Sequence, residues 1–365
     1  MNQYIKIGSL TRIYTGKLDA NVASADGKYP FFTCSKKSLR IDSYSYDCEC
    51  VLVAGNGDLN VKYFNGKFDA YQRTYIVESV DKGKLLVKYL YYFLNSYIET
   101  LRSQSIGGVI KYIKLGNLTH ALMLLPDVKT QEKIIQTLES CENAIEKRQK
   151  QFYLLDDLVK SRFVELFGTF PTNEKGWITG TIRDVISEAR YGSSRPAVDG
   201  GQYPYLRMNN ITYGGELDLS DVKRIDVPDN ELEKCTVRRG DVLFNRTNSR
   251  ELVGKTCVYN RDEMMVLAGF VIRVRVNSEV LPEFLSAFLN TDFSKQMLLG
   301  MCKTAIGQAN INAQELQNIS LYIPPINLQQ KFVEFKAQVD KSKYCSQKFE
   351  ELCRELIKIY EQEWI

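Results

Sequence analysis

The densest chemistry in the sequence lies between Lys234 and Arg261. Arg238, Arg239, Arg246, Arg250 and Lys255 fall there, opposed only by Asp241 and Glu251, with Asn245, Thr247, Asn248 and Ser249 interleaved just after an apolar run. Arginine can bond guanine O6 and N7 bidentately, asparagine can do the same with adenine, and hydroxyls hold phosphates. Leu206-Arg207-Met208-Asn209-Asn210-Ile211 offers the same chemistry at the end of another strand-like run. In the first half the matching positions are Thr33, Ser35, Lys36 and Lys37, then Asn56 and Asn60, and Gln72-Arg73. Charged loops are usually solvated surface, but here one loop position recurs in both halves, which favours contact with a polyanion.

Catalytic signatures are missing by contrast. His120 is the one histidine, which excludes multi-histidine metal sites and leaves little room for a Ser-His-Asp relay. Its apolar neighbours Ala121, Leu122, Leu124 and Leu125 give it a structural role. There is no phosphate-binding G-x-x-x-x-G-K-[ST] loop, and Gly55-Asn56-Gly57 begins a dinucleotide fingerprint that fails at Asn60. The acidic-Pro-Pro-aromatic motif of an amino-methyltransferase is missing too, since Pro324-Pro325 lies between Ile323 and Ile326. Asp221-Val222-Lys223 resembles half of a nuclease metal motif, a match short enough to arise by chance. The nine cysteines form no C-x-x-C pair and, with no signal peptide in Met1-Asn2-Gln3-Tyr4-Ile5-Lys6, read as free thiols of a cytoplasmic protein. No apolar run approaches membrane-spanning length. A net charge of +4 is compatible with a polyanion partner without requiring one.

The elements that must hold these loops come in two copies. Leu125-Pro126, four residues and Gln131-Glu132-Lys133 recur as Ile323-Pro324, four residues and Gln329-Gln330-Lys331, at a constant offset. Upstream of each junction the order repeats. Gly27-Lys28-Tyr29-Pro30-Phe31-Phe32 is mirrored by Gly201-Gln202-Tyr203-Pro204-Tyr205-Leu206, and the Val51 strand by Gly240-Asp241-Val242-Leu243-Phe244. The Tyr75 strand is mirrored by Gly269 to Val274, and Ser105-Ile106-Gly107-Gly108 by Ala305-Ile306-Gly307-Gln308. Each half reads as an α+β domain followed by a long helix.

A continuous helix over 130–167, with Gly168 as its stop, would run ~57 Å at ~1.5 Å per residue. Its apolar residues Ile134, Leu138, Cys141, Ile145, Phe152, Leu155, Val159 and Leu166 alternate by four and three, with Arg148 and Arg162 at the interruptions. That is a narrow coiled-coil seam. The distal run offers Phe335, Val339, Phe349, Leu352, Leu356 and Ile359. Two helices this long bury their seams best against each other, packed antiparallel.

With these motifs in place, the chain resembles the specificity (S) subunit of Type I restriction-modification systems over nearly its whole length. The duplicated junction and helix, Tyr203-Pro204-Tyr205-Leu206-Arg207 with Asn210-Ile211, and Gly240-Asp241-Val242-Leu243 carry the resemblance; the first half departs from it at Phe31-Phe32-Thr33-Cys34. It implies an α+β chain of two similar tandem target-recognition domains separated by two long antiparallel coiled-coil helices in a pseudo-twofold arrangement. The segments would be a first domain at 1–128, a central spacer helix at 129–168, a second domain at 169–326 and a distal spacer helix at 327–365. It further implies a non-catalytic reader of a bipartite double-stranded DNA target, joined by methyltransferase (M) subunits, two per chain, and restriction (R) subunits. Adenine-N6 methylation and ATP-dependent cleavage, with S-adenosylmethionine, ATP and Mg²⁺, would belong to those partners and no cofactor to this chain. Candidate DNA contacts are Arg207, Asn209, Asn210, Arg246, Thr247, Asn248, Ser249, Lys255 and Gln308, and Thr33, Ser35, Lys36, Lys37, Asn56 and Arg73. Candidate helix and docking positions are Ile134, Leu138, Ile145, Phe152, Leu155, Phe335, Val339, Phe349, Leu352 and Leu356. Two rivals differ in kind: a specificity segment detached from a fused methyltransferase-nuclease, and a scaffold that binds protein rather than DNA.

Overall fold

The computed structural model describes residues 3–305 and 308–364, with side chains described at 4–302 and 309–364. The chain forms two compact units, one running to Gln149 and taking in the chain from Ser346 onward, the other Lys150–Cys345. Both long helices, Val128–Phe167 and Ile326–Trp364, cross that boundary, so each unit owns one end of each helix.

In the first unit, alternating apolar runs build one sheet in the spatial order Thr11–Thr15, Thr74–Ser79, Tyr46–Ala54, Val61–Ala70, Tyr29–Phe32, Leu39–Ile41. All neighbours are antiparallel except one parallel contact, Phe31 with Asp69 and Phe32 with Ala70. The second unit repeats this plan with its two long strands each broken in two. Thr236–Val237 and Val242–Asn245 stand for Tyr46–Ala54, while Thr256–Val258 and Met265–Leu267 stand for Val61–Ala70. The parallel contact survives, as Tyr205 with Val266 and Leu206 with Leu267. The break at Arg238-Arg239-Gly240 needs glycine, because Gly240 has φ +89°. Each unit is therefore α+β, and the two share one fold.

Arginines in register fix the hairpins. Arg40 donates through Nε to Gly27 O and through Nη2 to Lys28 O, and Arg224 does the same to Gly201 O and Gln202 O. The duplicated junction has an equally specific cause. Gln131 is wholly buried; its Nε2 donates to Pro126 O (2.9 Å) and Lys84 O (2.7 Å), and its Oε1 accepts from Leu86 N (2.9 Å). Gln329 repeats all three bonds, to Pro324 O (2.8 Å), Glu279 O (3.0 Å) and Leu281 N (2.8 Å). One amide thus satisfies three backbone groups where strand, loop and helix meet, each of which would cost ~1–3 kcal/mol if left buried and unpaired.

Each core is closed by helix ends. Ile134, Ile135 and Leu138 join Val51, Val77, Leu90 and Phe93 in the first unit, with Ile357, Tyr360 and Trp364 packed against them. Phe163, Phe167, Phe284 and Phe332 pack ring on ring in the second, with centroids 4.8–5.7 Å apart. Within each unit the two helices run antiparallel, as Cys141 meets Cys353 in the first and Arg162 meets Phe335 in the second. The arginines expected as interruptions sit over rings: Arg148 over Phe349 at 5.2 Å and Arg162 over Phe335 at 5.7 Å. Ile145, Phe152 and Leu155 are half-buried along the same stripe.

The distal stripe must be corrected. Phe349, Leu352 and Leu356 lie on an exposed flank, Leu352 at 62%. The inward positions are Phe332, Val339, Ser346 and Cys353, spaced by heptads, with Lys336, Lys343, Glu350 and Ile357 between them. Small residues and long polar side chains occupy that seam, which hid its phase. Lys343 shows how a charge is accommodated: it is 2.5 Å from Asp156 and 2.9 Å from Glu216. Burial alone would lower its pKa, and the two carboxylates hold it above the usual value.

Candidate nucleic-acid interface

The same backbone wiring gathers the polar loops at one sheet edge in each unit. In the second unit Arg246 N donates to Phe270 O (3.0 Å) and Ile311 N donates to Arg246 O (2.9 Å). In the first, Gly55 N donates to Arg73 O (2.8 Å) and Ile113 N to Gly55 O (2.9 Å). A second link joins neighbouring loops: Lys255 Nζ donates to Met208 O (2.9 Å), and Asn60 Nδ2 donates to Cys34 O (2.8 Å). Strand pairing completes the frame, Thr247 with Asn310 in one unit and Asn56 bridged to Tyr112 in the other. The structural counterpart of Arg246 is therefore Gly55, one residue from the expected Asn56, and that of Phe270 is Arg73.

Several candidates turn out to be frame rather than contact surface. Asn210 is buried; its amide donates to Asp218 O (2.8 Å) and Asp221 O (3.0 Å) and its Oδ1 accepts from Arg207 N (2.8 Å). Lys255 is buried against Met208 O, and burial lowers its pKa. Thr247 is buried and donates to Asn310 Oδ1 (3.3 Å), and buried Thr33 accepts from Ser35 N (3.3 Å). Arg207 is half-buried on Asp221 (2.8 Å), and Arg239 of the basic cluster is held by Asp262 (2.7 Å). Small and polar residue types suggest contact, but Asn210, Lys255 and Thr33 satisfy backbone groups and Thr247, Arg207 and Arg239 are tied to neighbouring side chains.

Other candidates do reach the surface. Arg246 is half-buried, with its guanidinium 4.7 Å above the Tyr191 ring and Nη1 donating to Gly269 O (3.4 Å); its Nε is buried without a hydrogen-bond partner. Asn248 and Ser249 are half-buried beside it, with Asn209 and Arg250 exposed. Gln308 sits in the strand Gln308–Asn310, and its side chain lies outside the described residues, as do Ile306 and Gly307 of the repeat. In the first unit Ser35, Lys36, Lys37 and Arg73 are exposed and Asn56 half-buried. Sequence reasoning missed Tyr191 and Phe270, which are exposed at the same edge, and the tip Val109-Ile110-Lys111. Bulky apolar residues in a strand-like pattern read as core, so no local signal marked them.

His120 is exposed at the C-terminal cap of Leu115–Thr119, not packed among its apolar neighbours. Among the described residues no group of His, Cys, Asp and Glu is placed to hold a metal, and no helix is long and apolar enough to cross a membrane. All nine cysteines are free thiols.

Fold and site together define a duplicated α+β protein that carries, in each unit, a rigid edge of polar, basic and aromatic loops. The chain belongs to the Type I restriction modification DNA specificity domain family, which matches residues 2–152 and 174–352. It is 36% identical over 169 residues to the Type I restriction enzyme EcoDI specificity subunit of Escherichia coli, covering 46% of this chain and 37% of that protein. It is 22% identical over 253 residues to the EcoKI specificity subunit of Escherichia coli K12, covering 65% and 54%. The matches thus span about half or less of these curated relatives. Among solved structures, the S subunit of a Type-I restriction-modification system from M. genitalium superposes with TM-score 0.65 at 16% identity, covering 100% of this chain and 96% of that one. A chain from a study of type I R-M complex assembly gives 0.58 at 15%, covering 99% and 97%. At such identities these two structures support the fold alone.

Proposed function

We propose that this chain is the DNA-reading subunit of a Type I restriction-modification assembly, each unit reading one half of a bipartite double-stranded target. One observation carries the reading: the same hydrogen-bonded frame holds different residues in the two units, buried Gly55 and exposed Arg73 where the other has half-buried Arg246 and exposed Phe270. A fixed frame with variable tips is what two readers of different half-sites require. Lysines and arginines at the edges would supply salt-dependent affinity through phosphates, while a few side chains distinguish base edges.

The long helices would set the number of unread bases and dock two M subunits, with R subunits joining the larger complex. Phe349, Leu352, Leu356 and Ile359 form an exposed apolar stripe suited to such docking, and Tyr153, Leu154 and Leu158 add a further exposed patch. S-adenosylmethionine, ATP and Mg²⁺ would be carried by the partner subunits, and this chain would contribute no catalytic step.

Arg246→Ala tests the reading. Truncating a base-reading arginine costs ~1–3 kcal/mol of discrimination. Fluorescence anisotropy of the M-containing complex on its target duplex is expected to show roughly 5- to 150-fold weaker binding, with base preference relaxed in one half-site only. Unchanged affinity and preference in both half-sites would overturn the assignment.

A further inference from the structure

The loop between Gln104 and Leu115 carries the most exposed large apolar side chain among the described residues of the first unit, with a second beside it. Val109 is 103% exposed and Ile110 62%. The tip is nevertheless tightly built. Ile106 and Tyr112 exchange backbone hydrogen bonds (3.0 and 2.8 Å), and Gly57 N donates to Lys111 O (2.9 Å). Gly107 has φ +118°, and a Cβ there would fall 2.6 Å from Ile110 O, so the turn closes on itself only with glycine. A valine and an isoleucine on an ordered hairpin are unfavourably hydrated, and both are stiff at χ1. They need a surface that meets one or two side chains rather than a broad face.

The surroundings indicate which surface. Gly55-Asn56-Gly57 runs between the backbones of Arg73 and Lys111, so the tip belongs to the same edge as the proposed DNA contacts. Lys111 in the tip, Lys114 three residues on, and Lys36, Lys37 and Arg73 in segments bonded to the Gly55–Asn60 loop are exposed. The nearby carboxylate of Asp58 is already engaged by Lys36 (3.2 Å) and Arg102 (3.1 Å). The centre of a protein–protein interface is depleted of lysine, whereas a small apolar point ringed by cations fits a groove lined by phosphates. In the major groove the apolar feature of a base pair is the thymine C5-methyl group.

Resting on the DNA-reading function above, we propose that Val109 and Ile110 form an apolar finger that recognises thymine methyl groups in the half-site read by the first unit. Exchanging each thymine of that half-site for uracil removes only the methyl group. Binding of the M-containing complex, measured by anisotropy, is expected to weaken several-fold at one or two positions, and a Val109→Ser/Ile110→Ser variant is expected to bind thymine and uracil duplexes alike. Lys111→Ala should weaken binding to both duplexes equally and leave their ratio intact. No uracil effect at any position overturns the proposal, as does an effect that persists in the double variant or a half-site without A·T pairs. Loss of M assembly in the double variant also overturns it, because the tip would then dock protein. If the wild-type complex shows no sequence-dependent binding in either half-site, the DNA-reading function itself fails instead.

Discussion

Asp241→Ala is expected to destabilise the second unit by ~3–5 kcal/mol, the scale of breaking a buried ion pair from one side. Asp241 is almost wholly buried; it accepts from Arg238 N (2.9 Å) and from Arg275 Nε (2.8 Å). Arg275 continues to Glu188 (3.3 Å), which also takes Arg190 (3.0 Å) and the buried Arg273. Arg273 in turn donates to Thr236 O, in the short strand just before the Gly240 turn. Removing the aspartate leaves the turn's N–H without its acceptor and Arg275 with Glu188 as its remaining carboxylate. For a domain of this size ~1 kcal/mol moves the melting temperature by ~2–4 °C. Calorimetry should therefore show one transition lowered by roughly 6–20 °C and the other in place, since the equivalent strand of the first unit, Tyr46–Ala54, is unbroken. Equal shifts in both transitions, or none, would refute the role given to this network. Glu188 adds a pH signature. Burial opposes its charge, but Arg273, Arg275 and Arg190 hold its pKa below the usual value. A depressed carboxylate stabilises above its ordinary titration range, and that stability is lost as pH falls toward the folded-state value. The second unit should lose this contribution as the solution is acidified below the ordinary carboxylate range.

Deleting one seam heptad from each long helix is expected to shorten the target's unread gap and leave both half-sites unchanged. Seven helical residues rise ~10 Å, about three base pairs at ~3.4 Å each. A seven-residue cut preserves the seam's phase, so the antiparallel contacts at Cys141–Cys353 and Arg162–Phe335 can be kept outside it. Sequencing of methylated bases gives the result directly. An unchanged gap with methylation intact would contradict the idea that the helices act as a ruler.

Much of this was legible in the sequence where one residue type has one physical use. The Pro-x-x-x-x-Gln junction was visible because a buried glutamine satisfying three backbone groups tolerates little variation between the copies. The central seam was visible because its arginines interrupt the apolar spacing at a regular place. Val61–Ala70 was not, since Lys62, Tyr63, Asn65 and Lys67 break any alternation and Gly66, at φ +134°, looks like a turn. The distal phase is hidden in the sequence because Ser346 and Lys343 hold inward positions while Phe349 and Leu352 face outward. At the site, the residue types of Asn210, Lys255 and Thr247 point to contact, although each is buried and bonded within the frame. Nothing in the sequence marks Phe270 and Val109 as exposed, because exposure of an apolar residue is set by tertiary packing, which no local pattern records.

The most direct test exchanges residues 169–326 for the corresponding domain of another member of the family and sequences methylated bases in cells that carry the parent or the exchanged gene. The account predicts that one half-site changes while the other half-site and the gap between them stay as they were. Two altered half-sites, or an unaltered motif with methylation retained, would contradict a chain in which each unit reads its own half of the target.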